Sequence, residues 1–366
     1  MKNLKVIVSG GGTGGHIFPA LSIANELKAQ MPGIDILFVG ALGKMEMERV
    51  PAAGYEIIGL PVIGLPRKLS LKLFLFPWML YKSMRKARKI IHEFKPDIAI
   101  GVGGFASGPV LKAAVRKGIP TVLQEQNSYA GVTNKLLAAK VKKICVAYPN
   151  MERYFPSGKI VVTGNPFRQE LLKEADKKVA LKAFGLTDDK PVILILGGSL
   201  GARTLNESIL SNIDLIEKSG VQIIWQSGKF YYNEILERLN GKLRPNIHLF
   251  EFLSQMGMAY RAADLVISRA GAGTISEICL LGKPSVLVPS PNVAEDHQTK
   301  NAMALVENGA AILVEDADAV TGLFPKALAL VANKAQLESL SANSLKMAKP
   351  NATADIVNEI LKEVKK

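Results

Sequence analysis

A chain of 366 residues is longer than a single hydrophobic core usually supports, so its length predicts two domains. An apolar content of 48% and a charged content of 21% are typical of a folded globular protein and exclude extensive disorder. The 46 basic and 32 acidic residues give a net charge of +14, which favours phosphorylated substrates, anionic lipid surfaces or nucleic acid as partners. Nucleic acid is not expected, because the sequence holds no recognised DNA- or RNA-binding motif.

Strand and helix patterns alternate through the first half of the chain. Apolar runs that end in Gly, Pro or polar residues predict the strands LKVIVS, IDILFVG, YEIIGLP, PDIAIGVGG and IPTVLQEQN. Helical spacing occurs in FPALSIANELKAQ, over residues 71–94 with a break near Pro77, and in PVLKAAVRKG. This alternation predicts a parallel sheet with helices on both faces.

The same pattern starts again near Val161. KPVILILGGSLGA repeats the opening strand and glycine loop, and further strands are predicted in VQIIWQSG, NIHLFEFL, ADLVISRAGAG and PSVLVPSP. The expected fold class is α/β, with two Rossmann-like doubly wound parallel-sheet domains facing across a cleft. The structure-breaking residues in TGNPFR place the domain boundary at 163/164.

The two cysteines, Cys145 and Cys279, each lie in an apolar run, which predicts buried, reduced thiols and a cytoplasmic location. The apolar run at the N-terminus is too short for a signal peptide. No run approaches the roughly 20 apolar residues that span a bilayer.

Three glycine-rich loops each follow a predicted strand and precede a helical segment. Gly10, Gly12 and Gly15 satisfy G-x-G-x-x-G, and the other two loops are GVGGFASGP at 101–109 and GGSLGA at 197–202. Glycine lets the backbone approach a diphosphate, and the helix start adds amides and a positive dipole end. The second strand lacks the terminal acidic residue that holds a ribose in NAD and FAD sites, so neither dinucleotide is expected. Any one loop can be an ordinary turn, but three together predict more than one bound phosphate group.

RAGAGTISE at 269–277 is the most specific segment of the second half. We expect Thr274 to cap a helix whose first turn carries Ser276 and Glu277, with the loop amides facing a diphosphate. The Glu277 carboxylate can accept hydrogen bonds from both hydroxyls of a ribose, although a helix start also favours Glu for its dipole alone.

A basic and aromatic segment lies at residues 57–92, where there is no acidic residue. Large apolar side chains beside Lys and Arg are typical of a surface that enters the headgroup region of an anionic membrane. We assign this membrane face to Leu73, Phe74, Phe76, Trp78, Lys82 and Arg85. The alternative is a buried helix followed by a solvated basic one.

Seven motifs stand in an order typical of one protein family: GGGTGGHIFPALSIA, GVGGFASGP, QEQNSYAGVTNK, GNPFR, GGSLGA, RAGAGTISE and EDHQTKNA. Through them the chain resembles the MurG family of glycosyltransferases, of glycosyltransferase-B fold, over nearly its whole length. The resemblance implies inverting transfer of N-acetylglucosamine from UDP-N-acetylglucosamine to undecaprenyl-diphosphate-N-acetylmuramoyl-pentapeptide (lipid I), forming lipid II for peptidoglycan. It implies no cofactor and no metal, peripheral attachment to the cytoplasmic side of the cell membrane, and other cell-wall synthesis proteins as candidate partners.

The resemblance also implies domain roles and site residues. Domain 1–163 would bind acceptor and membrane, with a final helix at 350–366 packed back on it, and domain 164–349 would bind the UDP-sugar. The implied donor residues are Thr13, Gly14, Gly15, Asn127, Arg168, Ser199, Leu253, Ala272, Gly273, Thr274, Ile275, Ser276, Glu277 and Gln298. The implied acceptor-diphosphate residues are Gly12, His16, Gly103, Gly104 and Ser107.

Within this assignment Glu277 would hold the ribose, and Ser199 with the amides of 272–275 the diphosphate. Asn127 and Gln298 would meet the sugar, and the Leu253 backbone the uracil. Phe105 stands where some members of the family carry Tyr, so no role for a hydroxyl is expected there.

An acceptor hydroxyl must lose its proton as it attacks, which calls for a base of near-neutral pKa. His16 is the preferred base or diphosphate contact, Glu125 is the competing base, and His297 is a further candidate contact. Asp316 and Asp318 form a D-x-D pattern, which we assign to solvated surface far from the glycine loops. The alternatives to transfer are a UDP-N-acetylglucosamine 2-epimerase and a non-catalytic sugar-nucleotide-binding protein.

Overall fold

The computed structural model describes residues 3–62, 64, 71–172, 176–198, 200–293 and 296–364, with the side chains of 71–74 outside that description. The chain divides into two compact units. Unit 1 comprises Met1–Arg168 and Pro350–Lys366, and unit 2 comprises Gln169–Lys349.

Unit 1 is built on a seven-stranded parallel sheet. Its strands are β1 (Lys5–Ser9), β2 (Asp35–Ala41), β3 (Glu56–Leu60), β4 (Ile98–Gly101), β5 (Thr121–Glu125), β6 (Lys143–Val146) and β7 (Ile160–Val162). They lie in the order β3-β2-β1-β4-β5-β6-β7, with Val6 paired to Ile36 and to Ile98. Alternate side chains of β1 enter different cores, Ile7 one and Val8 the other, so the strand reads as a continuous apolar run.

Helices connect these strands: α1 (Gly14–Gln30), α2 (Glu46–Ala52), α3 (Leu71–Phe94), α4 (Ser107–Arg116) and α5 (Val132–Leu137). Helix α1 buries Ile23, Ala24 and Leu27, a spacing of one helical turn. The predicted break near Pro77 was wrong, because α3 contains this proline. Pro77 lies in the second turn, where it removes a single intrahelical hydrogen bond.

Unit 2 contains a six-stranded parallel sheet in the order β10-β9-β8-β11-β12-β13. Its strands are β8 (Val192–Leu196), β9 (Gln222–Gln226), β10 (Ile247–Phe250), β11 (Leu265–Ser268), β12 (Ser285–Leu287) and β13 (Ile312–Leu313). Its helices are α6 (Lys177–Ala183), α7 (Arg203–Ser211), α8 (Ile213–Ser219), α9 (Tyr232–Arg238), α10 (Met256–Ala262), α11 (Ala272–Leu280), α12 (His297–Val306), α13 (Ala319–Val331) and α14 (Lys334–Lys346). Side chains of β8 again alternate between two cores. The predicted α/β class with two doubly wound parallel sheets is confirmed.

The last helix, α15 (Ala352–Val364), belongs to unit 1. Ile356 and Ile360 are fully buried in the same core as Ile23 of α1. The Thr353 hydroxyl accepts a hydrogen bond from the Phe167 amide at 3.2 Å. The chain therefore leaves unit 1 near residue 168 and returns to it at residue 350.

Both cysteines are buried and free, as predicted. Burial raises the pKa of Cys145 to about 12 and the pKa of Cys279 to about 11. Both side chains therefore remain neutral thiols near pH 7.

Candidate functional site

The first glycine loop connects β1 to α1 at the carboxyl edge of the unit 1 sheet. Gly11 and Gly12 have φ of +149° and +93°, and Thr13 is extended before α1 begins at Gly14. A Cβ added to Gly12 would meet no heavy atom within 4 Å, so the backbone there faces open space. Because the first amides of a helix have no acceptor within it, this turn can receive an anion close to its backbone.

The second glycine loop, at 102–106, packs directly on the first. Gly104 has φ of +82°, and a Cβ there would lie 2.2 Å from the Gly11 carbonyl oxygen. The Ser107 hydroxyl, predicted to contact a diphosphate, is buried and donates to the Gly104 carbonyl at 3.1 Å. The two loops thus form one glycine-lined surface, which Ser107 supports from within.

His16 lies in the first turn of α1, beside both loops. Its Nδ1 is 2.9 Å from the Val102 carbonyl oxygen. Since a carbonyl only accepts, Nδ1 carries the proton and Nε2 is the basic nitrogen of the neutral ring. The buried side-chain amide of Gln126 donates through Nε2 to the same Val102 oxygen at 2.7 Å. A Cβ on Gly103 would lie 2.8 Å from His16 Cε1. The backbone therefore fixes both the orientation of the ring and its tautomer.

A buried carboxylate, which nothing in its sequence context marks, holds the first loop. Glu46 is the first residue of α2 and is 1% exposed. Its two oxygens accept from the Gly12 amide at 3.1 and 3.0 Å, and Oε1 also accepts from the Ala41 amide at 2.9 Å. Because the Gly12 amide points inward, Gly12 can offer an anion open space but no hydrogen bond.

Glu125, the competing base, is 1% exposed at the end of β5. Its Oε2 accepts from the Gly131 amide at 2.9 Å and from Asn134 Nδ2 at 2.8 Å. Its Oε1 accepts a hydrogen bond from the backbone N–H of Asn127 at 3.2 Å. Both oxygens thus hold the segment 127–134 in place, a geometry that favours His16 as the base.

The predicted donor residues fall on both units. Thr13, Gly14 and Gly15 at the start of α1 belong to unit 1, as do Asn127 and Arg168. The Arg168 guanidinium lies 5.5 Å from the centroid of an α1 aromatic ring, that of Phe18. The predicted donor residues from 199 to 298 belong to unit 2.

In unit 2 the third glycine loop joins β8 to α7. Ser199, predicted to hold the diphosphate, lies outside the described residues. Gly198 and Gly201 have φ of +82° and +96°. A Cβ on Gly198 would meet nothing within 4 Å, whereas one on Gly201 would lie 2.4 Å from the Ser227 carbonyl oxygen. The loop therefore packs against the segment after β9 on one side and is open on the other.

The RAGAG segment places a helix start at the carboxyl end of β11. Helix α11 begins at Ala272 with Gly271 as its cap, so the prediction that Thr274 caps it was wrong. The small residues at 271–273 let the helix begin earlier, which moves Ser276 and Glu277 into the second turn. The Ile275 amide donates to the Gly271 carbonyl at 3.0 Å, so a diphosphate would be met by the amides before it, at 272–274.

Glu277 is oriented by a tyrosine. The Tyr260 hydroxyl, on a fully buried side chain of α10, donates to Glu277 Oε2 at 3.0 Å. Ser276 Oγ, one residue earlier, donates back to the Ala272 carbonyl at 2.9 Å. Glu277 is thus a positioned acceptor near the start of α11, while the Ser276 hydroxyl is used within the helix.

Leu253 and Gln298 each use one polar group internally. The Leu253 amide donates to Gln226 Oε1 at 3.0 Å, so a contact to uracil would come through the Leu253 carbonyl, which accepts from an N–H group. Gln298 Oε1 accepts from the Ser290 amide at 2.8 Å. Its amide nitrogen is therefore the group that Gln298 would present to a sugar.

The assignment of the D-x-D segment to solvated surface far from the glycine loops was wrong for Asp316, although it holds for the exposure of Asp318. Asp316 Oδ2 accepts from Thr204 Oγ1 of α7 at 3.0 Å, and its Oδ1 forms a salt bridge with Arg269. The Arg269 and Asp316 side chains are 15% and 22% exposed. Through these two contacts Asp316 links Thr204, in the helix that follows β8, to Arg269, which directly follows β11. Asp318 is exposed. Within the described ranges, no group of three or more His, Cys, Asp or Glu is arranged to hold a metal.

The predicted membrane face lies on α3. The side chains of Leu73 and Phe74 are outside the described residues, Phe76 is half-buried and Arg85 is exposed. No helix in the part of the chain that the structure describes is long and apolar enough to cross a bilayer.

An aromatic and cationic cluster projects from the same helix. Trp78 and Tyr81 are 54% and 57% exposed and stack with their ring centroids 6.0 Å apart. Lys82 Nζ lies 5.0 Å from the Trp78 centroid, and Leu75 is 55% exposed. These exposures argue against the alternative of a buried helix.

Comparison with known proteins matches both halves of the chain to one family. Residues 6–146 match the glycosyltransferase family 28 N-terminal domain, and residues 192–359 match the glycosyltransferase family 28 C-terminal domain. A Bacteroides fragilis protein is 56% identical over 363 residues, covering 98% of this chain and 95% of that protein. It is named UDP-N-acetylglucosamine–N-acetylmuramyl-(pentapeptide) pyrophosphoryl-undecaprenol N-acetylglucosamine transferase.

Solved structures show the same architecture. The crystal structure of Acinetobacter baumannii MurG matches with a TM-score of 0.73 and 32% identity, covering 98% of this chain and 99% of that one. A UDP-N-acetylglucosamine 2-epimerase matches with a TM-score of 0.66 but only 17% identity, covering 99% and 96%. The second likeness shows the fold alone.

Proposed function

The chain belongs to glycosyltransferase family 28, and from this premise we propose that it transfers N-acetylglucosamine from UDP-N-acetylglucosamine to undecaprenyl-diphosphate-N-acetylmuramoyl-pentapeptide (lipid I). The product is lipid II, a precursor of peptidoglycan. The observation that carries the proposal is the 56% identity, over 98% of the chain, to a transferase named for these substrates. Epimerisation is not favoured, because the likeness to a 2-epimerase is confined to the fold.

Unit 2 supplies the donor half-site in this proposal. The amides at 272–274 and the open backbone at Gly198 receive the diphosphate. The positive end of α11 then stabilises the charge that grows on UDP as the glycosidic bond breaks. Glu277, oriented by Tyr260, accepts hydrogen bonds from the ribose hydroxyls.

Unit 1 supplies the acceptor half-site, with the two packed glycine loops beside the acceptor diphosphate. His16 Nε2 removes the proton of the acceptor hydroxyl while the hydroxyl oxygen attacks the anomeric carbon. The hydrogen bond from Nδ1 to the Val102 carbonyl orients the imidazole ring for this role. Attack on the face opposite UDP inverts the configuration. Glu125 acts by holding the segment 127–134.

The exposed residues of the membrane face are Trp78, Lys82 and Arg85, and Tyr81 stacks on Trp78 beside them. Aromatic rings settle in the headgroup region and cations meet anionic lipid, so one helix face can hold the protein at a bilayer. A peripheral position on the cytoplasmic side would bring unit 1 to an acceptor that never leaves the membrane.

Product analysis tests the reaction itself. The protein is incubated with UDP-N-acetylglucosamine, with and without a lipid I analogue. UDP release that depends on the analogue supports transfer, conversion to the 2-epimer without it would establish the epimerase, and no turnover would leave a binding protein. His16→Ala should lower kcat by roughly 10²–10⁴-fold, while His92→Ala, which replaces an exposed histidine of α3, should leave kcat unchanged.

Vesicle sedimentation tests the membrane face. Wild-type protein should bind vesicles of phosphatidylglycerol and phosphatidylcholine, and lose binding to pure phosphatidylcholine. Trp78→Ala should weaken binding to the anionic vesicles. The control is Phe230→Ala, which removes a 68% exposed ring from unit 2; equal loss in both variants would contradict a specific role for α3.

A further inference from the structure

We propose that Glu46 is a positioning residue for the acceptor. Its buried carboxylate holds the first glycine loop in the shape that receives the acceptor diphosphate. The inference rests on the proposed function for its ligand, and on the geometry around Glu46 for its mechanism.

The backbone of the first glycine loop packs closely against the Glu46 carboxylate. A Cβ on Gly11 would lie 2.1 Å from Glu46 Oε1, and a Cβ on Gly40 would lie 2.6 Å from Glu46 Cγ. Two glycines thus make room for the side chain, one in the first loop and one near the end of β2. By contrast, a Cβ on Gly12 would enter open space. Gly11 therefore accommodates Glu46, and Gly12 leaves the outer side clear.

The chemistry of the contact calls for an ionised acid. A carboxylate only accepts, and its two oxygens match the inward Gly12 and Ala41 amides. A glutamine of the same shape would place an NH₂ group against one of these donors. The negative charge itself opposes a nearby diphosphate, so attraction of the ligand cannot be its purpose. By turning the Gly12 amide inward, Glu46 leaves the start of α1 to meet the anion.

The test compares Glu46→Gln and Glu46→Asp with Glu48→Gln. Glu48 is an exposed acid on the same helix, so its variant matches the chemical change without the contact. Hydrogen exchange is measured on peptides covering 10–14 and 40–42, without any substrate. Steady-state kinetics give KM and kcat for the lipid I analogue and for UDP-N-acetylglucosamine, and calorimetry gives the Kd of UDP.

In Glu46→Gln, exchange should accelerate in those two peptides and stay unchanged elsewhere in unit 1. The kcat/KM for the acceptor should fall by roughly 10- to 100-fold, because a shifted loop would move the bound acceptor hydroxyl out of its reactive position. The Kd of UDP should stay at the wild-type value, because the groups assigned to its ribose, uracil and diphosphate (Glu277, Leu253 and the amides at 272–274) all belong to unit 2. Glu46→Asp, which keeps the charge, should recover part of the loss, and Glu48→Gln should match wild type.

Two results would overturn the proposal. One is exchange in Glu46→Gln that matches wild type at 10–14. The other is exchange that rises throughout unit 1 with donor and acceptor parameters failing together, which would show a general structural role. If wild-type protein shows no acceptor-dependent UDP release, the proposed function fails instead, and the exchange comparison still decides whether Glu46 holds the loop.

Discussion

Replacing Gly104 by alanine tests whether the close approach of the two unit 1 glycine loops builds the acceptor half-site. An added Cβ would lie 2.2 Å from the Gly11 carbonyl oxygen and 3.0 Å from the Gly11 nitrogen. Both are backbone atoms, so the clash is relieved only if the loops move apart. Gly118, just after α4, is a matched control, because its φ of +72° is similar to the +82° of Gly104 but its Cβ would meet nothing within 4 Å.

The difference between the two variants isolates the clash. A left-handed alanine costs about 1–2 kcal/mol in either place. Gly104→Ala alone adds overpacking, which costs about 1–3 kcal/mol. Since about 1.4 kcal/mol is a tenfold change in an equilibrium, Gly104→Ala should increase the open population of unit 1 by roughly 5- to 150-fold more than Gly118→Ala.

Hydrogen exchange separates the two units in one experiment. Peptides that cover β1 and β4 report unit 1, and the β8 peptide serves as the reference in unit 2. We expect faster exchange in β1 and β4 for Gly104→Ala, a smaller change for Gly118→Ala, and no change in β8. The acceptor kcat/KM should fall only in Gly104→Ala. Equal effects of the two substitutions would show that left-handed strain, and not contact between the loops, explains the glycine.

Three further predictions concern buried charges and thiols. Burial lowers the pKa of Lys283 from 10.5 to about 8, so between those values the unfolded chain binds more protons and the free energy of unfolding rises with pH. Lys283→Met should abolish this rise in the free energy of unfolding, which amounts to up to about 3 kcal/mol. Urea titrations at several pH values measure it, and a rise that persists in the variant would show that another group causes the pH dependence. Asp316→Asn should raise the Kd of UDP roughly tenfold by loss of charged hydrogen bonds, whereas Asp318→Asn, at an exposed position, should leave calorimetric binding unchanged. Because burial raises the pKa of Cys145 and Cys279 to about 12 and about 11, iodoacetamide at pH 8 should label them only after unfolding, and native labelling would contradict their burial.

The fold could be predicted where burial on both faces gives a strand a continuous apolar run. The central strands β1 and β8 are of this kind, and each is the first strand of its unit and is followed by a glycine loop and a helix. The strands Lys143–Val146, Ile160–Val162 and Ile312–Leu313 escaped prediction. With four, three and two residues, they are too short to show a period.

The candidate site was predictable only in its local parts. The turns could be predicted because glycine, unlike other residues, readily adopts the positive φ angles that such turns require. Glu46 and Asp316 were not predictable as supports, because their partners lie 34 and 112 residues away, at Gly12 and Thr204. Nothing in the spacing of a single sequence signals which distant amide or hydroxyl a carboxylate will reach.

These two carboxylates answer the same physical problem. A glycine loop that keeps its outer side clear for an anion lacks the side chains that would fix it, and glycine is the most flexible of residues. A loop that orders itself only on binding would lose affinity, so it must be fixed in advance. In unit 2 the fixing acid pairs with the Arg269 cation, whereas in unit 1 the contacts of Glu46 with the described residues of the loop and of β2 are to neutral amides. On this difference in charge, the acceptor loop should hold a diphosphate more weakly than the donor loops do.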